Sequence, residues 1–244
     1  MKVKIGVAFG DLHVPYHNET FVRLLKELVG DLKPDYLIYG GDMFDAYGIS
    51  RFAKKDGYDE EQGVYDTHKE MIQFRDEIHK PLKKLCKKNV DIRWLGGNHD
   101  EQRTRESIIK IPDRERMLSI SQMFPDVKLT EYNKLDNIGK ANFTHGIYVN
   151  DAHAKKHVIA CTSNIFYFHT HTTQEYTKTS LLGKTFSGKG LGCGCDMNPE
   201  YMKNLPNSWI QTISVFYFFP DGSYNDYTIK VIKGKFYFNG KLYK

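Results

Sequence analysis

The segment PDYLIYGGDMFD, residues 34–45, joins a short apolar run to two glycines and two aspartates. Pro34 to Tyr39 has the length and composition of a buried β-strand, and the Gly-Gly pair that follows indicates the turn at its end. Asp42 is therefore predicted to lie just beyond the carboxyl end of a strand. A single Gly-Asp turn is common in proteins and does not by itself indicate a functional site. The segments on either side must therefore be considered with it.

Two further segments repeat this arrangement. Lys2 to Phe9 is a predicted strand that runs into GDLH at 10–13, and Val90 to Leu95 is another that runs into GGNH at 96–99. The chain between these strands carries apolar residues at helical spacing and predicts two helices, Asn18 to Gly30 and Val64 to Lys88. Strands that alternate with helices predict an α/β fold, and ligand sites in such folds form where the carboxyl ends of the strands meet.

The second half of the chain is predicted to be richer in strands. The expected strands are Val127 to Leu129, Ala141 to His145, Ile165 to His169, Trp209 to Phe219, Tyr224 to Ile232 and Lys235 to Phe238. A short helix is expected over Asp151 to Ile159, and the glycine-rich stretch Gly183 to Gly194 is expected to be a loop. We predict one domain, residues 1–244, of the α/β class with two packed β-sheets flanked by helices.

The composition excludes several classes of protein. The chain is 40% hydrophobic and 27% charged, which is ordinary for a globular protein. Four cysteines in 244 residues are too few for a secreted disulfide scaffold, and no apolar run reaches the roughly 18 residues of a membrane span. We therefore expect a soluble cytoplasmic protein with no membrane partner. Its net charge of +5 permits an anionic substrate but does not require nucleic acid.

Side chains that bind divalent metals recur at the predicted strand ends. Oxygen and imidazole ligands suit ions such as Mn, Fe, Zn and Mg. Two ions held close together need a carboxylate that bridges them, and Asp42 can use both of its oxygens. Aspartate, asparagine and histidine side chains that could bind such ions lie at or just after the ends of the predicted strands, at residues 11–13, 41–45, 97–100, 145 and 169–171.

These side chains lie in five blocks with a distinctive order. The blocks are D-x-H at 11–13, GD-x-x-D at 41–45, GNHD at 97–100, a single His at 145 and H-x-H at 169–171. This order resembles the signature of the calcineurin-like metallophosphoesterases. The resemblance implies a four-layer sandwich and two divalent metal ions, with Mn as the expected ion and Fe, Zn, Mg or Ni as alternatives. The implied ligands are Asp11, His13 and His171 for the first metal, Asn98, His145 and His169 for the second, and Asp42 for both.

The same resemblance implies the reaction. A hydroxide that bridges the two ions would attack phosphorus in line, so no covalent phospho-enzyme is expected. His99 would contact the substrate phosphate and donate a proton to the leaving group, and Asp100 would orient His99. The chain departs from the family pattern at Phe168, because a Gly usually precedes the final H-x-H. We expect Phe168 to alter the local geometry and to bring an aromatic face toward the site.

The substrate is predicted from weaker signals. Arg103 and Arg105 follow His99 closely and are expected to hold a second phosphate or a nucleic-acid backbone. The leading hypothesis is a phosphodiesterase that acts on nucleic acid or a nucleotide, with specificity set by the segments Tyr47 to Gly63, Glu101 to Asp126 and Thr172 to Pro206. The GGNHDE-x-R block at 96–103 also resembles small phosphoesterases of bacteriophages and prophages, which would place the protein in a bacterial host cytoplasm.

Two alternatives stay open. The first is a phosphomonoesterase that acts on a protein or a small molecule. The second is a non-catalytic scaffold of the same fold. Related scaffolds lack some of the metal ligands, whereas this chain has every one, which disfavours the second alternative.

Other reactive side chains are given structural roles. Asp45 is expected to be a cap or to support the ligands without binding metal, and His17 is not expected to bind metal. Cys193 and Cys195 lack a second cysteine pair, so we expect a tight loop at the rim of the site rather than a zinc site. Histidines outside the five blocks are expected on the surfaces of helices, namely His68, His79, His153 and His157.

Overall fold

A computed structural model of the chain describes residues 2–198 and 206–244. The α-helices in these ranges are α1 (Glu19–Leu32), α2 (Arg51–Lys55), α3 (Glu60–Gln73), α4 (Lys80–Leu85), α5 (Arg103–Lys110), α6 (Glu115–Leu118), α7 (Ile120–Met123) and α8 (His153–Cys161). The β-strands are β1 (Lys4–Phe9), β2 (Tyr36–Tyr39), β3 (Asp91–Leu95), β4 (Val127–Thr130), β5 (Asp136–Ile138), β6 (Ala141–Thr144), β7 (Ile165–Tyr167), β8 (Gln174–Thr179), β9 (Thr185–Gly190), β10 (Thr212–Phe218), β11 (Tyr224–Lys230), β12 (Phe236–Phe238) and β13 (Lys241–Tyr243).

The first sheet contains the three strands that end in glycine-rich turns. Its strand order is β11-β10-β1-β2-β3-β4. Strands β1 to β4 are parallel, with Val7 opposite Leu37 and Leu37 opposite Ile92. Strand β10 is antiparallel to β1, and β11 is antiparallel to β10. Because parallel strands point the same way, the segments that follow β1, β2 and β3 all leave from one edge of the sheet.

The second sheet has the order β5-β6-β7-β9-β8, with β6, β7 and β9 parallel. The β8–β9 hairpin lies in a stretch that we expected to be partly a loop, and for residues 185–190 that expectation is wrong. The loop was predicted because this stretch is rich in glycine. A Cβ on Gly188 would lie 2.5 Å from Val158 Cγ2, and a Cβ on Gly190 would lie 2.9 Å from Tyr167 Oη. These glycines let β9 pack closely against α8 and β7.

Two apolar cores separate the layers. One core lies between the two sheets and includes Ile38 and Phe216 from the first sheet and Phe143 and Phe166 from the second. The other lies between the first sheet and the helices α1, α3 and α4. Helix α8 packs on the outer face of the second sheet, against β8 and β9. The predicted α/β class, with two packed sheets flanked by helices, is confirmed.

The two long predicted helices differ in detail from expectation. Asn18 caps α1 as predicted, because its Oδ1 accepts a hydrogen bond of 2.8 Å from Phe21 N. Helix α1 continues past Gly30 and ends where Lys33 adopts a left-handed conformation. Within the second predicted helix, a π-helical turn at residues 74–79 joins α3 to α4 shortly before Pro81. The helix is therefore widened there rather than broken. Among the described helices, none combines the length and apolarity that crossing a membrane requires.

Candidate metal centre

Five loops from two different sheets bring the predicted metal ligands together. The first sheet supplies its ligands from one edge, and the second supplies histidines from the ends of two parallel strands. Most of these side chains are buried, and Asn98 and His169 are partly exposed. The ligands are Asp11 and His13 after β1, Asp42 after β2, Asn98 after β3, His145 after β6, and His169 and His171 after β7.

The first group of ligand atoms comes from Asp11, His13 and His171. His13 Nε2 lies 3.2 Å from His171 Nε2, and His171 Nε2 lies 3.4 Å from Asp11 Oδ1. Asp11 Oδ1 is fully buried and accepts no hydrogen bond from the described residues. A buried carboxylate oxygen without a donor is costly, and a bound cation would satisfy it.

The second group surrounds His145. Its Nε2 lies 3.1 Å from Asn98 Oδ1, 3.1 Å from His169 Nδ1 and 3.2 Å from Asp42 Oδ2. The same Asp42 Oδ2 lies 3.8 Å from His13 Nε2 in the first group. Asp42 therefore stands between the two groups, which is the position that a bridging carboxylate needs.

A hydrogen bond to the backbone fixes the tautomer of His145, so that a lone pair of its ring faces the oxygens of neighbouring ligand candidates. His145 Nδ1 lies 2.8 Å from Gly40 O, which can only accept, so Nδ1 carries the hydrogen and the Nε2 of a neutral ring carries a lone pair. That lone pair faces the oxygens of Asn98 and Asp42. Burial alone would lower the pKa of His145, but the Asp42 carboxylate raises it to about 10. A divalent cation would take the place of that proton, and the donor set fits one.

The backbone of these loops is strained where the ligands lie. Five of the seven predicted ligands have a left-handed φ, with values of 50° at Asp11 and His13, 51° at Asp42, 74° at His169 and 58° at His171. Residues with a side chain rarely adopt this conformation, and where they do so together they commonly serve function. The strain is held by hydrogen bonds between loops, including His169 N to Asp11 Oδ2 at 3.0 Å.

His99 lies beside the ligand groups, with its ring held by Asp45. His99 Nδ1 lies 3.0 Å from Asp45 Oδ1, and His13 Nδ1 lies 2.9 Å from the same oxygen. Asp45 thereby orients both a predicted metal ligand and the predicted proton donor, which leaves His99 Nε2 free of that carboxylate. The sequence predicted only a general supporting role for Asp45, although its place in the GD-x-x-D block was a usable signal.

A comparison with known protein families shows the family to which the chain belongs. The sequence profile described as calcineurin-like phosphoesterase matches residues 7–187. The chain belongs to this family. It is a metal-dependent phosphoester hydrolase, and the family generally uses a dinuclear metal centre. The resemblance expected from the five blocks is thereby confirmed at the level of the family.

Solved structures agree with this phosphoesterase in fold. Wild-type Vps29 from Entamoeba histolytica, in complex with Zn²⁺, is 12% identical over 96% of both chains, with a TM-score of 0.52. A single mutant of that protein is 14% identical over 94% of both chains, with a TM-score of 0.50. A search of curated protein sequences gave no match.

Asp100 in this phosphoesterase does not orient His99, so that expectation is corrected. The fully buried Asp100 carboxylate accepts hydrogen bonds from Met43 N at 2.9 Å, Trp94 Nε1 at 3.0 Å and Gly97 N at 2.7 Å. It ties the loop after β2 to the loop after β3. Asp100 and His99 are consecutive residues of one helical turn, so their side chains point in different directions.

The two predicted substrate arginines separate for a similar reason. Arg103 reaches the centre, with Nη1 donating to Asp45 O at 2.7 Å and Nη2 lying 3.5 Å from His99 Nε2. Arg105 is two residues further along α5 and points elsewhere. Its Nε donates to Glu101 Oε1 at 2.8 Å, and its side chain lines a different cavity beside Ile108. The structure therefore brings Arg103, but not Arg105, to the metal centre.

Phe168 is buried in the core between the sheets and does not turn its ring toward the site. The ring lies over two glycines that end β1 and β2. A Cβ on Gly10 would lie 2.7 Å from Phe168 Cδ1, and a Cβ on Gly40 would lie 2.5 Å from three atoms of the ring. The Phe168 ring fits where the family usually has a glycine, because Gly10 and Gly40 beneath the ring have no side chains.

We expect Gly40→Ala to lower the free energy of unfolding by about 1–3 kcal/mol, because the added methyl group overlaps the Phe168 ring. Urea unfolding in the presence of EDTA measures this loss without a contribution from metal. Combining the change with Phe168→Leu should recover part of it, with a coupling of about 1 kcal/mol in a double-mutant cycle. Additive losses would contradict this account of the contact.

Several histidines expected on helix surfaces are buried. His79 is 3% exposed and bonds to Tyr39 Oη at 3.0 Å, and His157 is 2% exposed and stacks on the Tyr167 ring at 3.8 Å. His153 is also buried and lies near Thr172. The surface expectation is wrong for these three residues. Their charged neighbours suggested that these helix faces are solvated, but tertiary packing covers them.

Cys193 and Cys195 are both buried, and together with His171 they form a further cluster of potential ligand atoms. Cys195 Sγ lies 3.7 Å from His171 Nδ1, the ring nitrogen opposite the one that faces Asp11. The pair therefore lies behind a predicted metal ligand rather than at the rim. Its contact with His171 places a thiol where metal-bound histidines usually have a hydrogen-bond partner.

The mostly buried carboxyl of Glu70 accepts a hydrogen bond from Ala46 N at 2.7 Å. Burial raises the pKa of Glu70 from 4.5 to about 8, and the Ala46 N–H offsets this only in part. Between these two pH values the folded protein keeps a proton that the unfolded chain has released. The free energy of unfolding therefore decreases as the pH rises from 4.5 to about 8.

We expect Glu70→Gln to remove this pH dependence. At about pH 9 the variant should be more stable than the wild type by on the order of 2 kcal/mol, and near pH 5 the two should be closely matched. Urea unfolding in EDTA at the two pH values gives the comparison. Glu61→Gln, a change at an exposed carboxyl, should follow the wild type. Equal pH profiles for Glu70→Gln and the wild type would show that Glu70 ionises normally.

Proposed function

We propose that this phosphoesterase is a phosphodiesterase that acts on nucleic acid or a nucleotide with two divalent cations, Mn in the leading case. The observation that carries the proposal is the position of Asp42 between two groups of ligand atoms, with His99 and Arg103 beside them. The first cation would be held by Asp11, His13 and His171, the second by Asn98, His145 and His169, and Asp42 would contribute to both.

The side chains around Asp42 would have different roles in the reaction. When bound, the two cations supply Lewis acidity toward the phosphoryl oxygens and lower the pKa of water. Asp45 holds His99 by Nδ1, so His99 Nε2 is the atom placed to donate a proton to the leaving oxygen. Arg103, fixed by Asp45 O, brings a positive charge next to that nitrogen and favours a phosphoryl oxygen there.

Support for a diester of nucleic acid comes from the surroundings of the centre. A cavity of about 300 Å³ opens beside Asn98 and Arg103 and is also lined by Phe52. Phe52, Tyr47 and Tyr58 are exposed large aromatic side chains on this side of the protein, and such rings stack on bases. The resemblance of the 96–103 block to phage phosphoesterases further leads us to propose a phage or prophage origin and a bacterial cytoplasm as the place of action.

A pair of chromogenic substrates tests the proposal. The purified protein with Mn²⁺ is expected to hydrolyse bis-(p-nitrophenyl) phosphate faster than p-nitrophenyl phosphate. Faster hydrolysis of the monoester would favour a phosphatase acting on a protein or a small molecule. If no divalent metal supports hydrolysis and elemental analysis finds no bound metal, the scaffold alternative is the one that remains.

A further inference from the structure

A basic cleft leads away from the metal centre along α2 and α5. It consists of two adjoining cavities, of about 300 and 220 Å³, which share Ile49, Ser50 and Arg51 on one wall. The inner cavity reaches Asn98, a predicted metal ligand, and the outer one extends to Lys54. Arg103 and Glu106 on α5 form the shared opposite wall. The cleft thus connects the metal centre with the surface.

The charges along the cleft are predominantly positive. The four cations Arg51, Lys54, Arg103 and Lys110 face two acids, Glu60 and Glu106. Glu60 is already occupied, because it pairs with Lys110 at 2.9 Å and with Arg114 at 3.1 Å. Among the described residues, no carboxylate lies within ion-pair distance of Arg51 or Lys54. These two side chains are therefore available to an anionic ligand.

An aromatic side chain accompanies the free cations. Phe52 is 50% exposed, and the Arg51 guanidinium lies 5.1 Å from the centroid of its ring. Tyr58 lines the outer cavity and is also exposed. Cations interleaved with exposed rings are the features that bind single-stranded nucleic acid, with phosphates on the charges and bases on the rings. Cavities of this size accept single nucleotides, whereas a double helix could only lie across the opening.

We infer that the cleft is a subsite for the phosphate that neighbours the scissile one in a single-stranded oligonucleotide, with Arg51 and Lys54 as its ligands and Phe52 as a stacking surface. The inference rests on the proposed phosphodiesterase function and specifies its substrate. It also assigns the second-phosphate role to the segment 49–58 rather than to Arg105. Arg103 would lie between the two phosphates, because it lines both cavities and contacts His99.

Binding in the absence of metal tests the subsite separately from catalysis. Fluorescence anisotropy of fluorescein-labelled hexathymidylate is measured in EDTA over a series of KCl concentrations, for the wild type and for Arg51→Ala/Lys54→Ala. We expect the double variant to bind about tenfold more weakly. The slope of log affinity against log salt should become shallower by roughly one unit for each lost contact. Lys55→Ala/Lys84→Ala removes the same charge from exposed positions outside the cleft and is the matched control.

The outcomes separate the subsite from the proposed function. If the cleft variant binds within about threefold of the wild type with the same slope, or if the control loses as much, the subsite is wrong even when bis-(p-nitrophenyl) phosphate is hydrolysed. If that substrate is not hydrolysed, the proposed function fails independently of binding. Competition identifies the ligand. The dinucleotide pTpT should displace the probe better than ADP, and the reverse order would overturn the assignment to an oligonucleotide.

Discussion

Replacing Asp42 by Asn should lower turnover by roughly three orders of magnitude, which corresponds to about 4 kcal/mol of lost transition-state stabilisation. Asp42 is the carboxylate that stands between the two ligand groups, with Oδ2 3.2 Å from His145 Nε2 and 3.8 Å from His13 Nε2. Asn keeps the shape but has no negative charge. The variant would therefore hold its cations less firmly and could not balance the charge of two of them.

Metal content and activity are measured together to test this role. Elemental analysis after dialysis against Mn²⁺ should give two ions per chain for the wild type and fewer for Asp42→Asn. Asp31→Asn is the matched control, because Asp31 lies at the end of α1, contributes to neither ligand group and pairs with Lys241. A variant that keeps both ions and turns over within about tenfold of the wild type would show that Asp42 does not bridge them.

The seven candidate ligands could be predicted from sequence because their signals are local. Each lies directly after an apolar strand, often behind a glycine, and parallel strands deliver such positions to one edge. Gly97 illustrates how narrow the local requirement is, since a Cβ there would overlap Asp42 Oδ1. The glycine next to Asn98 is needed for the carboxylate of another loop.

The residues around the ligands could not be predicted as well, because their roles depend on the direction of the side chain in space. Asp100 follows His99 in sequence, but the carboxylate that reaches His99 comes from Asp45 in the previous loop. Arg105 resembles Arg103 in type and position, yet helical rotation sends it to Glu101. The cleft between residues 49–58 and α5 requires the contact of the turn at residues 47–49 with α5, which no local pattern reports. Residues 199–205 of the third predicted specificity segment lie outside the described part of the chain.

Phe168 shows how a departure from a family pattern can be structural. In the sequence the replacement of a glycine beside H-x-H suggested a change in the site. In the structure the ring fills the space above Gly10 and Gly40, within the core between the sheets. The neighbouring predicted ligand His169 has a left-handed φ of 74°, and its backbone N–H donates to Asp11 Oδ2. The compensation lies in two glycines far away in sequence, so it becomes visible only once the sheets are packed.

His99→Asn is expected to lower turnover by roughly 10²- to 10⁴-fold while leaving the metal content unchanged. His99 is held by Asp45 but contributes no atom to the two groups around Asp42, whereas its backbone N–H donates to Asp42 Oδ1 at 2.8 Å. Substitution preserves that backbone contact. The loss should therefore appear in the chemical step and not in the binding of Mn²⁺, which chelator competition measures.

The leaving group separates proton donation from a general loss of structure. Nitrophenolate leaves without help, whereas the alkoxide of a nucleoside needs a proton. The His99→Asn defect should therefore be about tenfold larger on a dinucleotide than on bis-(p-nitrophenyl) phosphate. Asp45→Asn provides a contrast, because Asp45 also holds His13 and its loss should weaken metal binding as well. His68→Asn, at a histidine bonded to Met117 O, should match the wild type. If His99→Asn strips the metal, or if both substrates lose equally, His99 is not the proton donor.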